Sequence, residues 1–109
     1  MQNEFKIERK KKNNDFKKLL IKAQNDPNAQ FQLGAKYYNG EEVDQNYIEA
    51  IKWFTKSAEN GNTQAQYNLA VMYENGEGIK ENMEEALKWY KKSAELGNEE
   101  AIQILKELV

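Results

Sequence analysis

The chain of 109 residues contains no cysteine, no histidine and only one proline. Without cysteine it has no disulfide bond, no thiol nucleophile and no zinc site built on thiolates. Without histidine no Ser-His-Asp triad can be assembled. The only serines, Ser57 and Ser93, each precede an alanine in a repeated position that requires a small side chain. We therefore predict that the protein is not an enzyme, binds no metal ion and needs no cofactor.

Long apolar segments are also missing. The mean hydropathy is -0.98 and 31% of the residues are charged. No apolar run approaches the roughly 20 residues that a membrane-spanning helix needs. The first residues are basic, but the apolar stretch of a secretory signal does not follow them. We expect a cytoplasmic protein that makes no contact with a membrane.

Charge is divided unequally along the chain. The formal net charge is -2, but residues 1–22 carry eight basic residues against three acidic ones, and the remainder carries eight against fifteen. A basic leader, residues 1–14, thus precedes an acidic body. One interpretation of such a leader is a nucleic-acid contact through Lys10, Lys11 and Lys12. We expect a solvated terminus instead, because no aromatic residues are interleaved with these bases as in single-strand binding surfaces.

The chain repeats itself with a period of 36 residues, which is typical of helical repeat proteins. Residues 28–63 align with residues 64–99 without a gap, and 18 of the 36 positions are identical. The register continues into residues 100–109 at one end and, after a deletion of one residue, into residues 15–27 at the other. We predict a single domain, residues 15–109, of two complete repeats with a half repeat at each end.

Each repeat has the pattern of two helices. In the first helix, apolar residues recur at i, i+4 and i+8, as in Ala29, Leu33 and Tyr37, and an Asn-Gly pair follows as a helix end. The second helix opens with asparagine followed three residues later by glutamate, which predicts a capping box. Its apolar face alternates alanine with aromatic residues, so the tryptophans are expected in the core. Between the helices, Glu42 replaces the glycine found at Gly78 and is expected to alter that turn.

The segments AQFQLGAKYYNGEEVDQNYIEAIKWFTKSAENGN and AQYNLAVMYENGEGIKENMEEALKWYKKSAELGN resemble Sel1-like repeats. The period of 36 and the glycine-containing loop favour this family over the related tetratricopeptide repeats, whose period is about 34. The resemblance implies an all-α fold, a right-handed α-α superhelix that forms a short solenoid of helix-turn-helix repeats.

Stacked helical repeats present an extended concave surface that binds peptides and proteins. By analogy with tetratricopeptide proteins, the resemblance implies that the first helix of each pair lines this groove. Phe31, Tyr38 and Tyr67 are amphipathic candidates for interface hot spots; alternatively, Phe31 and Tyr67 pack against the preceding repeat. The predicted partner-binding residues are Asn28, Phe31, Ala35, Tyr38, Asn39, Gln64, Tyr67, Val71, Glu74, Asn75 and Gln103.

Three hypotheses for function follow. The first is a non-catalytic, monomeric protein-interaction module that holds a peptide or protein partner in the groove. A narrower alternative is a small inhibitor or immunity-type protein, whose acidic body blocks a basic target such as a nuclease by complementary charge. A third alternative is nucleic-acid contact through the basic leader, which predicts a steep dependence on salt.

Overall fold

A computed structural model describes residues 14–108, and all regular secondary structure in this part is helical. The helices are α1 in residues 14–22, α2 Pro27–Asn39, α3 Tyr47–Glu59, α4 Thr63–Asn75, α5 Met83–Glu95 and α6 Glu99–Glu107. Helix α2 packs on α3 and α4 packs on α5, so each repeat forms one helix pair, and α3 and α5 also contact the helix that follows them. The fold is an all-α helical repeat solenoid. No helix within residues 14–108 is long and apolar enough to cross a membrane.

The first helix of each repeat begins and ends at specific caps. Asp26 accepts a hydrogen bond from the backbone N–H of Asn28 at 2.9 Å, just before Pro27 opens α2. A proline is well placed there because the first helical N–H has no intrahelical partner. At the other end Gly40 has a φ of +70°, and its N–H donates to the carbonyl of Lys36. The predicted helix end at the Asn-Gly pair is therefore confirmed.

The second helix of each repeat has the predicted asparagine cap but not the complete capping box. Asn46 Oδ1 accepts from the N–H of Glu49 at 3.1 Å, as the pattern requires. The reciprocal contact is replaced, because the N–H of Asn46 donates to the carbonyl of Tyr37 at 2.8 Å. Asn82 repeats this arrangement, with its N–H on the carbonyl of Tyr73 at 2.9 Å. The asparagine thus ties the second helix of a repeat to the end of the first.

The loop between the two helices keeps the same backbone φ in both repeats. Glu42 has a φ of +65°, and its counterpart Gly78 has a φ of +71°. The prediction that glutamate alters this turn is therefore wrong at this residue. A side chain in the left-handed region is disfavoured, and here the Glu42 carboxylate lies 2.6 Å from Lys36 Nζ in a partly exposed ion pair.

Small residues let the paired helices come close together. A Cβ atom at Gly34 of α2 would lie 2.5 Å from the ring of Phe54 in α3, so only glycine fits against this ring. Phe54 is 1% exposed, and it joins a core cluster that extends through Leu69 to Tyr90. The tryptophans are buried as predicted, with Trp53 6% exposed. Because α2 and α3 approach each other closely, the Phe54 ring also reaches the neighbouring helix α4.

Buried polar groups link successive helices at repeated positions. Ser57 Oγ donates to the carbonyl of Pro27 at 2.7 Å, and Ser93 makes the same contact with Thr63 at 2.7 Å. The serines therefore do more than fill a small slot, since each buried hydroxyl finds its hydrogen-bond partner in the first turn of the preceding helix. Gln66 likewise donates its amide to the carbonyl of Ala58 at 3.0 Å. Such hydrogen bonds fix the register between neighbouring helices because buried polar groups require partners.

Candidate binding cleft between α2 and α4

A cavity of about 220 Å³ lies where three helices meet at the junction of the two repeats. It is lined by Tyr38 of α2, Phe54 of α3, and Tyr67, Asn68, Val71 and Met72 of α4. We call it the α2–α4 cleft. Five of its six lining residues are aromatic or aliphatic, which is the composition that small binding pockets usually have. Its size suits a single large apolar side chain.

Aromatic packing holds the walls of the cleft in place. The ring of Tyr38 lies 5.0 Å from that of Tyr47 and 6.5 Å from that of Phe54. On the other wall, Tyr67 lies 5.8 Å from the ring of Tyr90 in α5. Tilted aromatic pairs at these separations are stabilising beyond the area they bury. The cleft is therefore a pre-formed feature, supported by α3 and α5 behind it.

Two tyrosine–glutamate hydrogen bonds flank the cleft. The hydroxyl of Tyr38 donates to Glu77 Oε2 at 2.7 Å, and the hydroxyl of Tyr90 donates to Glu74 Oε1 at 2.7 Å. The bond to Glu77, together with burial and the nearby negative charge, raises the pKa of Tyr38 to about 12. Burial, followed by the bond to Glu74, raises the pKa of Tyr90 as well. Both hydroxyls therefore stay protonated near neutral pH and act as donors.

The structure brings together some of the residues that the sequence places in the groove. Tyr38, Tyr67 and Val71 line the same cavity. Phe31 and Ala35 instead line a separate, shallower depression with Gln32, Lys36 and Glu41. Phe31 also packs 5.8 Å from Phe54, which belongs to the same repeat and not to the preceding one. Phe31 and Tyr67 thus each contact the second helix of their own repeat, and Tyr67 also shares its cavity with Tyr38 and Phe54 of the preceding repeat.

The polar candidates are mostly engaged with neighbouring side chains. Asn28 accepts from Asn62 at 3.1 Å, and Gln64 donates to Asn68 at 3.2 Å and accepts from Asn98 at 3.5 Å. Gln103 donates to Glu107 at 3.3 Å on the exposed face of α6. Asn39 and Asn75 are exposed residues at the ends of α2 and α4, each directly before the glycine that caps its helix.

Three residues of the cleft were not among the predicted partner-binding residues. Phe54 belongs to the second helix of a repeat, and it reaches the cleft because Gly34 lets that helix approach. Met72 is 1% exposed and follows Val71 in α4. Asn68 follows Tyr67, and its side-chain oxygen accepts from Gln64. Asn68 and Met72 are four residues apart, as Tyr67 and Val71 are, so widening the predicted stripe of α4 by one residue would have found them.

Charge is divided unequally between two sets of helices in the described part. Helices α2, α4 and α6, with the loops 40–46 and 76–82, carry nine acidic residues against three lysines. Helices α1, α3 and α5 carry eight lysines against six acidic residues. Two of these lysines flank each buried tryptophan, as Lys56 does at 4.9 Å from the ring of Trp53. The basic leader residues Lys10, Lys11 and Lys12 lie outside the described residues.

The geometry defines an α-helical repeat protein with a small apolar cleft at a repeat junction. The sequence matches the Sel1 repeat twice, at residues 27–62 and 63–98. The chain therefore belongs to the Sel1 repeat family. Proteins of this family are generally interaction modules and are typically non-catalytic scaffolds.

Solved structures of Sel1 repeat proteins share this fold. A Sel1 repeat protein from Oxalobacter formigenes is 42% identical with a TM-score of 0.76, and the alignment covers 78% of this chain and 35% of that protein. A protective antigen of uropathogenic Escherichia coli with an SLR fold, c5321, is 41% identical with a TM-score of 0.71, over 73% of this chain and 17% of that one. Helicobacter pylori cysteine rich protein B is 28% identical with a TM-score of 0.71, over 73% and 60%.

This chain spans less than two thirds of the length of each of these three relatives. No curated protein sequence is significantly similar to it.

Proposed function

We propose that the protein is a non-catalytic interaction module that binds a peptide or protein segment in the α2–α4 cleft. The observation that carries this proposal is the cavity of about 220 Å³, in which Tyr38, Tyr67 and Val71 are brought together. Its aromatic walls are supported from behind, so a partner meets a surface that needs little ordering. Pre-organisation of this kind reduces the entropic cost of binding.

Selection from a library of random 12-residue peptides displayed on phage tests this proposal. Wild type is expected to enrich peptides that bind far more weakly to Val71→Glu, because a carboxylate would then stand on the apolar wall of the cleft. Ile48→Glu is the matched control, since Ile48 is 71% exposed on α3 and the same charge is added there. Peptides that bind Val71→Glu as well as wild type would place the binding surface elsewhere and overturn the proposal.

We also propose that the protein is monomeric. Gly34 and its counterpart Ala70 leave room for the aromatic residue of the next helix, and the equivalent position in α6 is the exposed Lys106. If a helix of a second copy packed onto α6 in the same pattern, its aromatic residue would meet Lys106 at a position where the repeat has a small residue. Light scattering at micromolar concentration is expected to give the mass of one chain; a stable dimer would contradict this.

The narrower hypothesis of an inhibitor rests on the excess of acidic residues on α2, α4, α6 and their loops. It requires a basic target whose activity the protein blocks, and inhibition of a purified target enzyme by wild type but not by Val71→Glu would support it. Nucleic-acid contact through Lys10, Lys11 and Lys12, and a cytoplasmic location, remain predictions from sequence. Deletion of residues 1–12 tests the former by its effect on the salt dependence of nucleic-acid binding.

A further inference from the structure

One carboxylate beside the cleft has an oxygen without a donor. Glu77 Oε2 accepts from the Tyr38 hydroxyl at 2.7 Å, whereas Oε1 is buried and accepts no hydrogen bond from residues 14–108. Buried polar atoms are almost always paired, so an unpaired one calls for a specific explanation. Tyr38 itself lines the cleft, so its hydrogen bond to Oε2 places the Glu77 carboxylate beside the proposed binding surface.

A second carboxylate, in the last turn of α4, is held in the same way. Tyr90, whose ring packs 5.8 Å from Tyr67, donates to Glu74 Oε1 at 2.7 Å. Neither Glu74 nor Glu77 has a described lysine within ion-pair distance, because the described ion pairs are Lys36–Glu42 and Lys88–Glu85. Two oriented carboxylates therefore flank an apolar cavity without a cation from this part of the chain.

Within residues 14–108 this arrangement occurs once. The position of Glu74 is occupied by Tyr38 in the first repeat, and the counterpart of the half-buried Glu77 is the exposed Glu41. Helices α2, α4 and α6 with the loops 40–46 and 76–82 carry nine acidic residues against three lysines, and eight of the nine lie in the loops and in α6. Electrostatic complementarity therefore favours a cationic partner over an acidic or neutral one.

We propose, on the basis of the proposed function, that the partner is a polypeptide segment with a lysine or arginine beside a bulky apolar residue. The apolar side chain enters the α2–α4 cleft. The cationic group lies beside the cleft, where the carboxylates of Glu77 and Glu74 attract it.

The first test is the composition of the peptides selected on wild type. Peptides that still bind Val71→Glu are removed before the composition is compared. Lysine or arginine within two positions of leucine, phenylalanine or methionine is the expected enrichment. If the selected peptides are apolar or acidic but still depend on Val71, the proposed function stands and this inference is overturned. If no peptide discriminates wild type from Val71→Glu, both fall.

Affinity measurements with one selected peptide are the second test. Replacing the carboxylate by an amide in Glu77→Gln is expected to weaken binding about tenfold, because the attraction between the carboxylate and the cationic group is lost. Tyr38→Phe keeps the charge of Glu77 and loses only its orientation, so a smaller loss is expected. Glu95→Gln on α5 is the control and should leave the affinity unchanged.

In a charge-reversed peptide, glutamate replaces each lysine or arginine. This peptide is tested on wild-type protein, so a folding defect in a protein variant cannot affect the result. Wild-type protein is expected to bind it at least about tenfold more weakly. Equal affinity for the two peptides would overturn the inference. So would Glu77→Gln binding the basic peptide as tightly as wild type, once circular dichroism confirms that the variant is folded.

Discussion

Asn60 donates its side-chain amide to Gln30 Oε1 across 3.2 Å, and so joins the end of α3 to the start of α2. In the second repeat the counterpart of Asn60 is Leu96, which is 57% exposed. The counterpart of Gln30 is Gln66, whose Oε1 is buried and accepts no hydrogen bond within residues 14–108. One substitution between the repeats thus explains an unpaired acceptor in the core.

Leu96→Asn is therefore expected to stabilise the protein. The new amide would reach Gln66 Oε1 as Asn60 reaches Gln30, and a net gain of about 1 kcal/mol is typical of one such hydrogen bond. The exposed leucine has little burial to lose. Urea unfolding measures the change; the reverse variant Asn60→Leu is the control and should lose about 1–3 kcal/mol. A destabilised Leu96→Asn would contradict this explanation.

Gly34→Ala is expected to destabilise the protein by about 1–3 kcal/mol, although alanine ordinarily favours a helix over glycine. Its Cβ would lie 2.5 Å from the Phe54 ring, which is itself buried and cannot move freely. Thermal unfolding measures the effect, and Gly34→Ala combined with Phe54→Leu should recover part of the loss. A simple gain in stability, as at an unconstrained helical glycine, would show that α2 and α3 are not in this close contact.

Ser93→Ala is expected to cost about 1 kcal/mol, because it removes the donor to the carbonyl of Thr63 and keeps the small side chain. Ser57→Ala is the internal comparison and should behave alike, since Ser57 makes the same 2.7 Å contact with Pro27. Denaturant unfolding of the two variants tests this equivalence. If both are as stable as wild type, the serines act only as small residues.

Alkaline pH is expected to destabilise the fold through its tyrosines. The pKa of Tyr38 rises from its ordinary value of 10.0 to about 12 in the folded protein, chiefly through the bond to Glu77. The folded state therefore holds this proton longer than the unfolded state does. The resulting stabilisation is complete below pH 10 and is lost as the pH rises toward about 12.

Absorbance at 295 nm, which reports tyrosinate, measures this effect directly. Wild type is expected to titrate at higher pH than the protein in urea, and Tyr38→Phe should lower the dependence of unfolding free energy on pH above 10. Superimposable folded and unfolded titration curves would show that the tyrosine–glutamate bonds do not persist in solution.

The helix pairs and the buried tryptophans were predictable because periodicity and repetition carry that information directly. Leu33 and Leu69 occupy equivalent positions in the two repeats, and both are fully buried. The hydrogen-bond acceptor of the Asn46 N–H was not predictable from the pattern. It depends on the distance to the carbonyl of Tyr37 in the preceding helix, and local sequence motifs do not encode such tertiary contacts.

The candidate site was predictable only in part for a similar reason. The expectation that the first helix of each repeat lines the groove found Tyr38, Tyr67 and Val71, which share one cavity. It did not find Phe54, because a residue of the second helix reaches the cleft only where a glycine brings two helices together. The same expectation also gave Glu74 as a groove residue, but its hydrogen bond from Tyr90 joins positions 16 residues apart and requires the fold.

The central claim is that partners bind in the α2–α4 cleft, and amide chemical-shift mapping tests it most directly. A peptide selected on wild type is titrated into the ¹⁵N-labelled protein. The largest shifts are expected at Tyr38, Tyr67, Asn68 and Val71, with little change around Lys52 and Lys88 on α3 and α5. Shifts concentrated on α3 and α5, with the cleft residues unchanged, would contradict the account.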